Sequence, residues 1–400
     1  MMNKFSIQDL QLKDQQVLMR VDFNVPLTRE GAIADDSRIK AALTSIQYVV
    51  NQGGSLVLMS HLGRPKGKKE ARLSLQPIAK RLEELLEMPV LFAEDCIGPK
   101  VEAMAENLQP KEILLLENLR FYEAEKCPEK DPSFAEKLAK LGDVYINEAF
   151  GTSHRKHTST YEVAKQFNGK SATGFLVEKE IAFLGNVFER PKRPFFAIIG
   201  GAKISSKLGL IRNLIEKVDG LFIGGGMSYT LLKANGQKVG DSIVEDSEIE
   251  NAKEISKISS SKAVKLWLPS DIVIAESLSN EAETQIINGK DAIPDGWQGV
   301  SVGPKTCADW KEALQNAQTI FWNGPLGAFE YPQFADSTYE MAQFLAQSIA
   351  TTIVGGGDSV SAIQQLGLLP QFTHVSTGGG ASLEFIEFGH LPCVDILTDR

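Results

Sequence analysis

Short apolar runs separated by helical patterns fill this chain from end to end. In the first half the runs are Val17–Val21, Leu56–Met59, Ile113–Leu116 and Val144–Ile146. In the second half they are Phe195–Ile199, Leu221–Ile223, Val264–Leu268, Ile320–Trp322, Thr352–Val354 and His374–Ser376. Many are continuously apolar rather than alternating, the pattern of parallel strands covered on both faces. Between them, segments such as Leu75–Leu86 place Ile78, Leu82, Leu85 and Leu86 on one stripe at helical spacing. This alternation predicts βαβ units and parallel sheets, an α/β fold.

A chain of 400 residues exceeds one ordinary core, so two domains are expected. The stretch from Glu189 to Pro194, with prolines at 191 and 194, marks the break, because proline stops a helix and extends its predecessor. Just before it, Phe175–Glu189 reads as one long helix with Leu176, Ile181, Leu184 and Phe188 apolar, suited to act as a lever. The expected organisation is residues 1–174, an interdomain helix over 175–190, and residues 191–400, the extreme C-terminus being able to return to the first domain.

Composition narrows the partners. There are 42 basic and 51 acidic residues, a formal charge of −9, and no basic run, which argues against nucleic acid and anionic membranes. No segment approaches the roughly 20 apolar residues of a membrane span, and Met1–Leu10 lacks a signal-peptide core. Cys96, Cys127, Cys307 and Cys393 form no CxxC pair, which points away from structural zinc and disulfides and towards a cytoplasmic location. Any anion this chain binds must be held by a local cluster working against the overall field.

Such clusters follow strand after strand, where ligands of open parallel sheets bind. Val17–Val21 precedes Asp22, Asn24 and Pro26. Leu56–Met59 precedes Ser60, His61, Gly63, Arg64 and Pro65. Ile113–Leu116 precedes Glu117, Asn118 and Arg120, and Val144–Ile146 precedes Asn147, Gly151, His154, Arg155 and His157. Arg38, Arg64, Arg120 and Arg155 each offer a planar fork to carboxylate or phosphate, whereas Asp22 and Asn24 can accept from hydroxyls. A small, hydroxylated polyanion fits this set. His154 and His157 have too few companion ligands to predict zinc.

The second half uses glycine instead. Phe195–Ile199 ends in Gly200-Gly201-Ala202-Lys203, Leu221–Ile223 in Gly224-Gly225-Gly226, Thr352–Val354 in Gly355-Gly356-Gly357-Asp358-Ser359, and His374–Ser376 leads to Gly378-Gly379-Gly380. Glycine lets backbone N–H groups approach phosphate, and helix N-termini add favourable dipole. Lys203 and Lys207, four apart, would share one face if a helix began there. Asp358 would repel bare phosphate unless a bridging Mg²⁺ reversed the sign, or else it caps the next helix, a role open to Ser359 as well. Gly169-Lys170-Ser171 imitates the end of a Walker A loop, but the pattern needs glycine at 164, where Ala164 stands.

Together these residues closely resemble the phosphoglycerate kinase family. The matching stretches are Arg20–Pro26, Asp36–Ile39, Met59–Pro65, Glu117–Phe121, Asn147–His157, Gly200–Lys207, Gly224–Met227, Trp322–Glu330, Gly355–Ser359 and Ser376–Glu384, in the family's order across almost the whole chain. The resemblance implies two Rossmann-like parallel-sheet domains joined by a long helix, in a hinge-bending kinase. It implies reversible phosphoryl transfer from 1,3-bisphosphoglycerate to MgADP, giving 3-phosphoglycerate and MgATP, by a monomer. By the same resemblance Asp22, Phe23, Asn24, Arg38, His61, Leu62, Gly63, Arg64, Arg120 and Arg155 hold the triose. Gly201, Lys207, Gly225, Asn323, Glu330, Gly356, Gly357, Asp358 and Ser359 hold the nucleotide, with Asp358 on Mg²⁺ and Glu330 at the ribose. Arg38, Lys203 and Lys207 surround the phosphoryl group in flight.

Three positions depart from the commonest family pattern: Glu148 where Asp is usual, Ser359 where Thr is frequent, and Ser153 where Ala is common. None removes a charged contact. A kinase for another small carboxylic acid and a non-catalytic nucleotide-binding relative are the alternatives. Activity with another acid but not with 3-phosphoglycerate marks the first. The intact Lys203, Lys207, Asp358 and Arg38 speak against the second.

Overall fold

The computed structural model describes residues 4–400. They pack as two compact units, residues 4–185 with Phe388–Arg400, and Asn186–Glu387.

The first unit is built on a six-stranded, wholly parallel sheet of β1 (Gln16–Val21), β2 (Ser55–Met59), β3 (Val90–Phe92), β4 (Ile113–Leu115), β5 (Val144–Glu148) and β6 (Ser171–Thr173), in the order β3-β4-β2-β1-β5-β6. Successive side chains go to opposite faces, and both faces are covered, which is why the runs are largely apolar without alternation. Val17, Met19, Leu56, Leu58, Ile113 and Ile146 meet Ile39, Ile46 and Val49 of the helix Ser37–Asn51 and Ile78 and Leu82 of the helix Gln76–Leu86. Leu18, Val57, Leu114 and Tyr145 meet Val101, Phe134, Leu138 and Leu397 on the other face. The Walker-like Gly169-Lys170-Ser171 is the turn into β6, with Gly169 at φ 69°.

The second unit repeats the plan with β7 (Phe195–Ile199), β8 (Gly220–Ile223), β9 (Lys265–Trp267), β13 (Thr319–Asn323), β14 (Thr351–Gly355) and β15 (His374–Val375), ordered β15-β14-β13-β7-β8-β9 and all parallel. Ile198, Phe222, Ile320, Trp322 and Val354 pack on Trp310, Met341, Leu345 and Ile363. A feature that strand–helix alternation did not predict is a separate antiparallel sheet, in which β10 (Asp271–Ala275) lies between β11 (Thr284–Asn288) and β12 (Gln298–Val302). Strand β11 is mostly exposed, with only Ile286 and Ile287 between polar residues, so its apolar signal is weak.

The long helix spans Phe175–Glu189 as expected. Its buried stripe is Val177, Glu180, Leu184 and Phe188, whereas Leu176 and Ile181 are half-buried, a rotation of the stripe read from the sequence. The ring of Phe188 sits 5.5 Å from Phe195 and 5.4 Å from Phe321.

Glu148, the last residue of β5, anchors the start of this helix. Its buried carboxylate accepts from the Leu176 N–H at 3.1 Å, the Val177 N–H at 3.4 Å and the Ser45 hydroxyl, while Ser45 Oγ accepts from the Phe175 N–H at 2.9 Å. Gly174 makes room, since a Cβ there would lie 2.1 Å from Glu148 Oε2. Burial pushes the Glu148 carboxyl up to about 7, against the hydrogen bonds from Ser45, Leu176 and Val177. The folded chain therefore holds this proton over a range where the unfolded chain, near 4.5, has released it. Stability from this group is complete below pH 4.5 and is lost as pH rises through about 7, by about 3 kcal/mol at about 1.4 kcal/mol per pH unit. Urea unfolding of the wild type at pH 5 and pH 8 should show this loss, and Glu148→Gln should abolish it. An equal pH dependence in both proteins would count against it.

Candidate active site

In the first unit the carboxyl ends of β4, β2, β1 and β5, four adjacent strands, bring the predicted polar clusters to one sheet edge. The loops are tied side to side. The Phe23 N–H donates to Ser60 Oγ at 2.9 Å, joining the ends of β1 and β2. The Gly63 N–H donates to Asn24 Oδ1 at 2.8 Å, and Arg120 Nη1 donates to the Gly63 carbonyl at 2.9 Å. Asn118 is the hub between β2 and β4. Its Oδ1 accepts from the Leu62 N–H at 3.2 Å, and its Nδ2 donates to the Leu62 and Leu73 carbonyls at 2.8 and 2.9 Å.

Arg38, in the first turn of the helix Ser37–Asn51, forms an ion pair with Asp22. His61 is buried, with Nδ1 4.0 Å from Asp22 Oδ1. Arg120 is buried and its Nε has no partner. Arg64 and Arg155 are exposed, Arg155 donating to His154 Nε2 at 2.9 Å. His154 and His157 come from the same loop that carries Arg155.

The site is strongly cationic despite the chain's net negative charge. Burial, then Arg20, Arg120, His157 and Arg38, holds His61 well below its ordinary value. Burial and Arg155 bring His154 down to about 4; burial, Arg120, Arg20 and Arg155 bring His157 down to about 3. Arg120 itself is lowered to about 10 by burial and then Arg20. The positive field comes from Arg20, Arg38, Arg120 and Arg155, with Lys126 adding to it at His157. This is a surface prepared for an anion.

In the second unit the glycine loops after β7, β8 and β13 touch backbone to backbone. The Gly201 N–H donates to the Pro325 carbonyl at 2.9 Å, and the Met227 N–H to the Gly201 carbonyl at 3.0 Å. A Cβ on Gly225 would sit 2.8 Å from the Gly201 nitrogen and 2.9 Å from the Pro325 oxygen, and Gly225 is itself at φ 66°. Lys207 Nζ donates into this junction, to the Gly200 carbonyl at 2.6 Å and the Asn323 carbonyl at 3.1 Å. Burial pulls Lys207 down to about 8, opposed by Asp358.

Two sequence readings need correction here. Residues Ser205–Lys207 form a 3₁₀ turn and the helix begins only at Leu208, so Lys203 and Lys207 share no helix face. Lys203 is exposed ahead of the turn. The helix Gly357–Gln365 is capped by neither Asp358 nor Ser359, because its N-cap is Gly356, at φ 91°. Asp358 is exposed in the first turn, and the buried Ser359 accepts from the Gly324 N–H at 2.6 Å, tying β14's loop to that of β13. Glu330 lies exposed at the end of the β13 loop.

The loop at Gly356 has the features of an anion cradle. Asn323 Nδ2 is buried with no partner, and a Cβ on Gly356 would come within 2.8 Å of it. A ligand oxygen is what would satisfy that donor, beside a helix N-terminus and one free carboxylate, Asp358. This combination fits a phosphate chain whose Mg²⁺ takes one protein carboxylate and finds its remaining oxygens on phosphates and water. Among the described residues, no group of three or more His, Cys, Asp and Glu is placed to hold a metal unaided.

The sequence reading passed over three residues beneath the first site. Arg20, Glu125 and Ser159 are fully buried and joined to His61. The visible signal was Arg20 itself, a charge inside an otherwise apolar strand.

Comparison with known proteins gives a consistent result. A family model described as phosphoglycerate kinase matches residues 7–388. The chain is 49% identical over 399 residues to the phosphoglycerate kinase of Moorella thermoacetica, covering 100% of both, and 47% identical over 400 residues to that of Clostridium tetani, covering 100% of this chain and 98% of the other. Its fold superposes on the structure of phosphoglycerate kinase from Coxiella burnetii with a TM-score of 0.85 at 37% identity, covering 99% of each chain. For the crystal structure of that from Pyrococcus horikoshii OT3 the TM-score is 0.83 at 30% identity, covering 98% of each.

Proposed function

This chain belongs to the phosphoglycerate kinase family, glycolytic phosphotransferases that use a carboxyl group as acceptor, and from that premise we propose how its residues divide the work. The edge of the first sheet takes the triose. Asp22 and Asn24 orient its hydroxyl, Phe23, Leu62 and Gly63 shape the floor, and His61, Arg38, Arg64, Arg120 and Arg155 take its carboxylate and phosphate. The loops of the second sheet take the nucleotide. Gly201, Gly225, Asn323, Gly356, Gly357 and Ser359 form the cradle, Glu330 takes the ribose, and Lys207 meets the terminal phosphates. Asp358 holds Mg²⁺, which neutralises phosphate charge when bound.

The observation that carries the triose assignment is the continuous hydrogen-bonded chain Asn24–Gly63–Arg120 across three strand ends, which brings the Arg120 guanidinium beside Gly63 with its Nε unpartnered.

The chemistry asks for position and charge, not for a base. The accepting carboxylate is already ionised at neutral pH. Phosphoryl transfer passes through a state in which negative charge is spread over the moving oxygens. Arg38, Lys203 and Lys207 oppose that charge. The family premise and the absence of any membrane-spanning helix among the described residues support a cytoplasmic enzyme, which we propose to act as a monomer.

The direct test is a coupled assay of ATP consumption with 3-phosphoglycerate, with and without Mg²⁺. Turnover is expected with this acid and Mg²⁺, and a preference for another small acid would overturn the assignment. Arg38→Ala should lower kcat at least about tenfold, the loss of one charge-assisted contact, without unfolding the first unit. Normal turnover in that variant would remove Arg38 from the reacting centre.

A further inference from the structure

Arg20 is the fifth residue of β1 and has no exposed surface. Its guanidinium is held from several sides. Nε donates to Ser159 Oγ at 2.8 Å, Nη1 donates to the Val21 carbonyl, and Nη2 lies 2.9 Å from His61 Nδ1. Glu125, equally buried, stands 3.9 Å from Nη2 and accepts from the Ser159 N–H at 3.0 Å and its hydroxyl at 2.7 Å. The Ser159 hydroxyl thus passes its proton direction towards Glu125 and receives Arg20 on its lone pair.

A guanidinium has donors and no acceptor. Its contact with His61 Nδ1 is a hydrogen bond only if that nitrogen carries the lone pair. We propose that Arg20, fixed by Ser159 and Glu125, is a positioning residue that locks His61 as the neutral tautomer with its proton on Nε2, so that His61 meets the triose as a fixed hydrogen-bond donor. The proposal rests on the assignment of His61 to the triose site. It explains why a charged residue occupies a fully buried strand position and why a buried glutamate lies behind it.

The groups facing His61 are consistent with the neutral form. Burial disfavours an imidazolium, as do the charges of Arg20, Arg120 and Arg38. Asp22, at 4.0 Å from Nδ1, is a carboxylate near the ring, and it is engaged by Arg38. If Arg20 were lost, Nδ1 would be free to take a proton and turn to Asp22. A second tautomer and a charged form would then both become accessible.

The test begins with the wild-type protein, so it does not depend on a variant folding. Nitrogen-15 NMR of the five histidine side chains, with His61 assigned by its loss in His61→Ala, should show His61 with a pyridine-like Nδ1 and a protonated Nε2 from pH 5.5 to 8. A protonated Nδ1, or titration within that range, would overturn the proposal. In Arg20→Met combined with Glu125→Gln, which removes both buried charges, His61 should gain a mixed tautomer signature. Its kcat/KM for 3-phosphoglycerate should fall roughly tenfold and acquire an ionisation between about pH 6 and 7, while KM for ATP stays near normal. Arg20→Lys should retain neutrality of His61 but not the fixed tautomer. An unchanged histidine spectrum in the folded double variant would also overturn the proposal. The premise is tested separately: an unaltered KM for 3-phosphoglycerate in His61→Ala removes His61 from the triose site and leaves the tautomer result standing on the NMR alone.

Discussion

Replacing Lys207 by alanine is expected to lower kcat roughly ten- to 150-fold, the equivalent of about 1.5–3 kcal/mol for a charge-assisted contact made to the transferring phosphoryl group. The structure adds a pH signature to this loss. Lys207 donates to the Gly200 and Asn323 carbonyls at the junction of three glycine loops, and burial brings its ammonium down to about 8. The free enzyme therefore begins to lose this charge as pH rises through about 8, whereas a bound phosphate returns it. The expected profile is a fall of kcat/KM for ATP above pH 8, since that parameter reports the free enzyme, with a smaller effect on kcat. Calorimetry of ATP binding near pH 8.5 should record proton uptake by the wild type and none by Lys207→Ala. Lys207→Arg, charged at every accessible pH, should flatten the profile at reduced activity, because its planar fork cannot make the same two carbonyl contacts. Near-normal kcat in Lys207→Ala would remove this residue from the reacting centre.

The second large effect is expected from one methyl group. A Cβ on Gly200 would stand 2.0 Å from the Pro325 oxygen and 2.7 Å from the Gly324 oxygen, both backbone atoms with no side chain to swing aside. Gly200→Ala must therefore separate the loops after β7 and β13. Overpacking of this kind costs about 1–3 kcal/mol of stability. The functional cost should be larger, because Lys207 bonds the Gly200 carbonyl and the Gly324 N–H holds Ser359 in place. Displacement of the cradle by about 1 Å can cost roughly 100-fold in turnover. Urea unfolding and ATP titration of the variant separate the two effects. A stable variant with normal ATP affinity would show that the cradle does not depend on this close approach.

The parts of the fold legible from sequence share one property: both faces of a strand report the same environment. Parallel strands between helices are mostly apolar on both faces, so β1, β2, β4, β7, β8 and β13 stand out in one chain. Strands with little burial do not. Thr284–Asn288 is polar and edge-exposed, and the three-residue β3 and β6 are too short to show a period. The stripe of the long helix was misplaced for a related reason. Leu184 and Phe188 are buried as read, but Val177 and Glu180 complete the stripe in place of the half-buried Leu176 and Ile181, because hydrophobicity alone does not register a buried glutamate.

The site divides the same way. Strand-end clusters, guanidinium side chains, glycine loops and, through the family motifs, the reaction are all readable along the chain. These depend on residue type and order, which a linear pattern carries. Which loops touch is set by the three-dimensional packing. It joined Asn24 to Gly63 and Arg120, seated Lys207 on the carbonyls of Gly200 and Asn323, and took Lys203 off the helix. It also placed Arg20, Glu125 and Ser159, distant in sequence, in one buried network behind His61. Hydrogen-bond partners across 41 or 139 positions leave no local trace, because their selection is made by strand order and burial, not by neighbours in the chain.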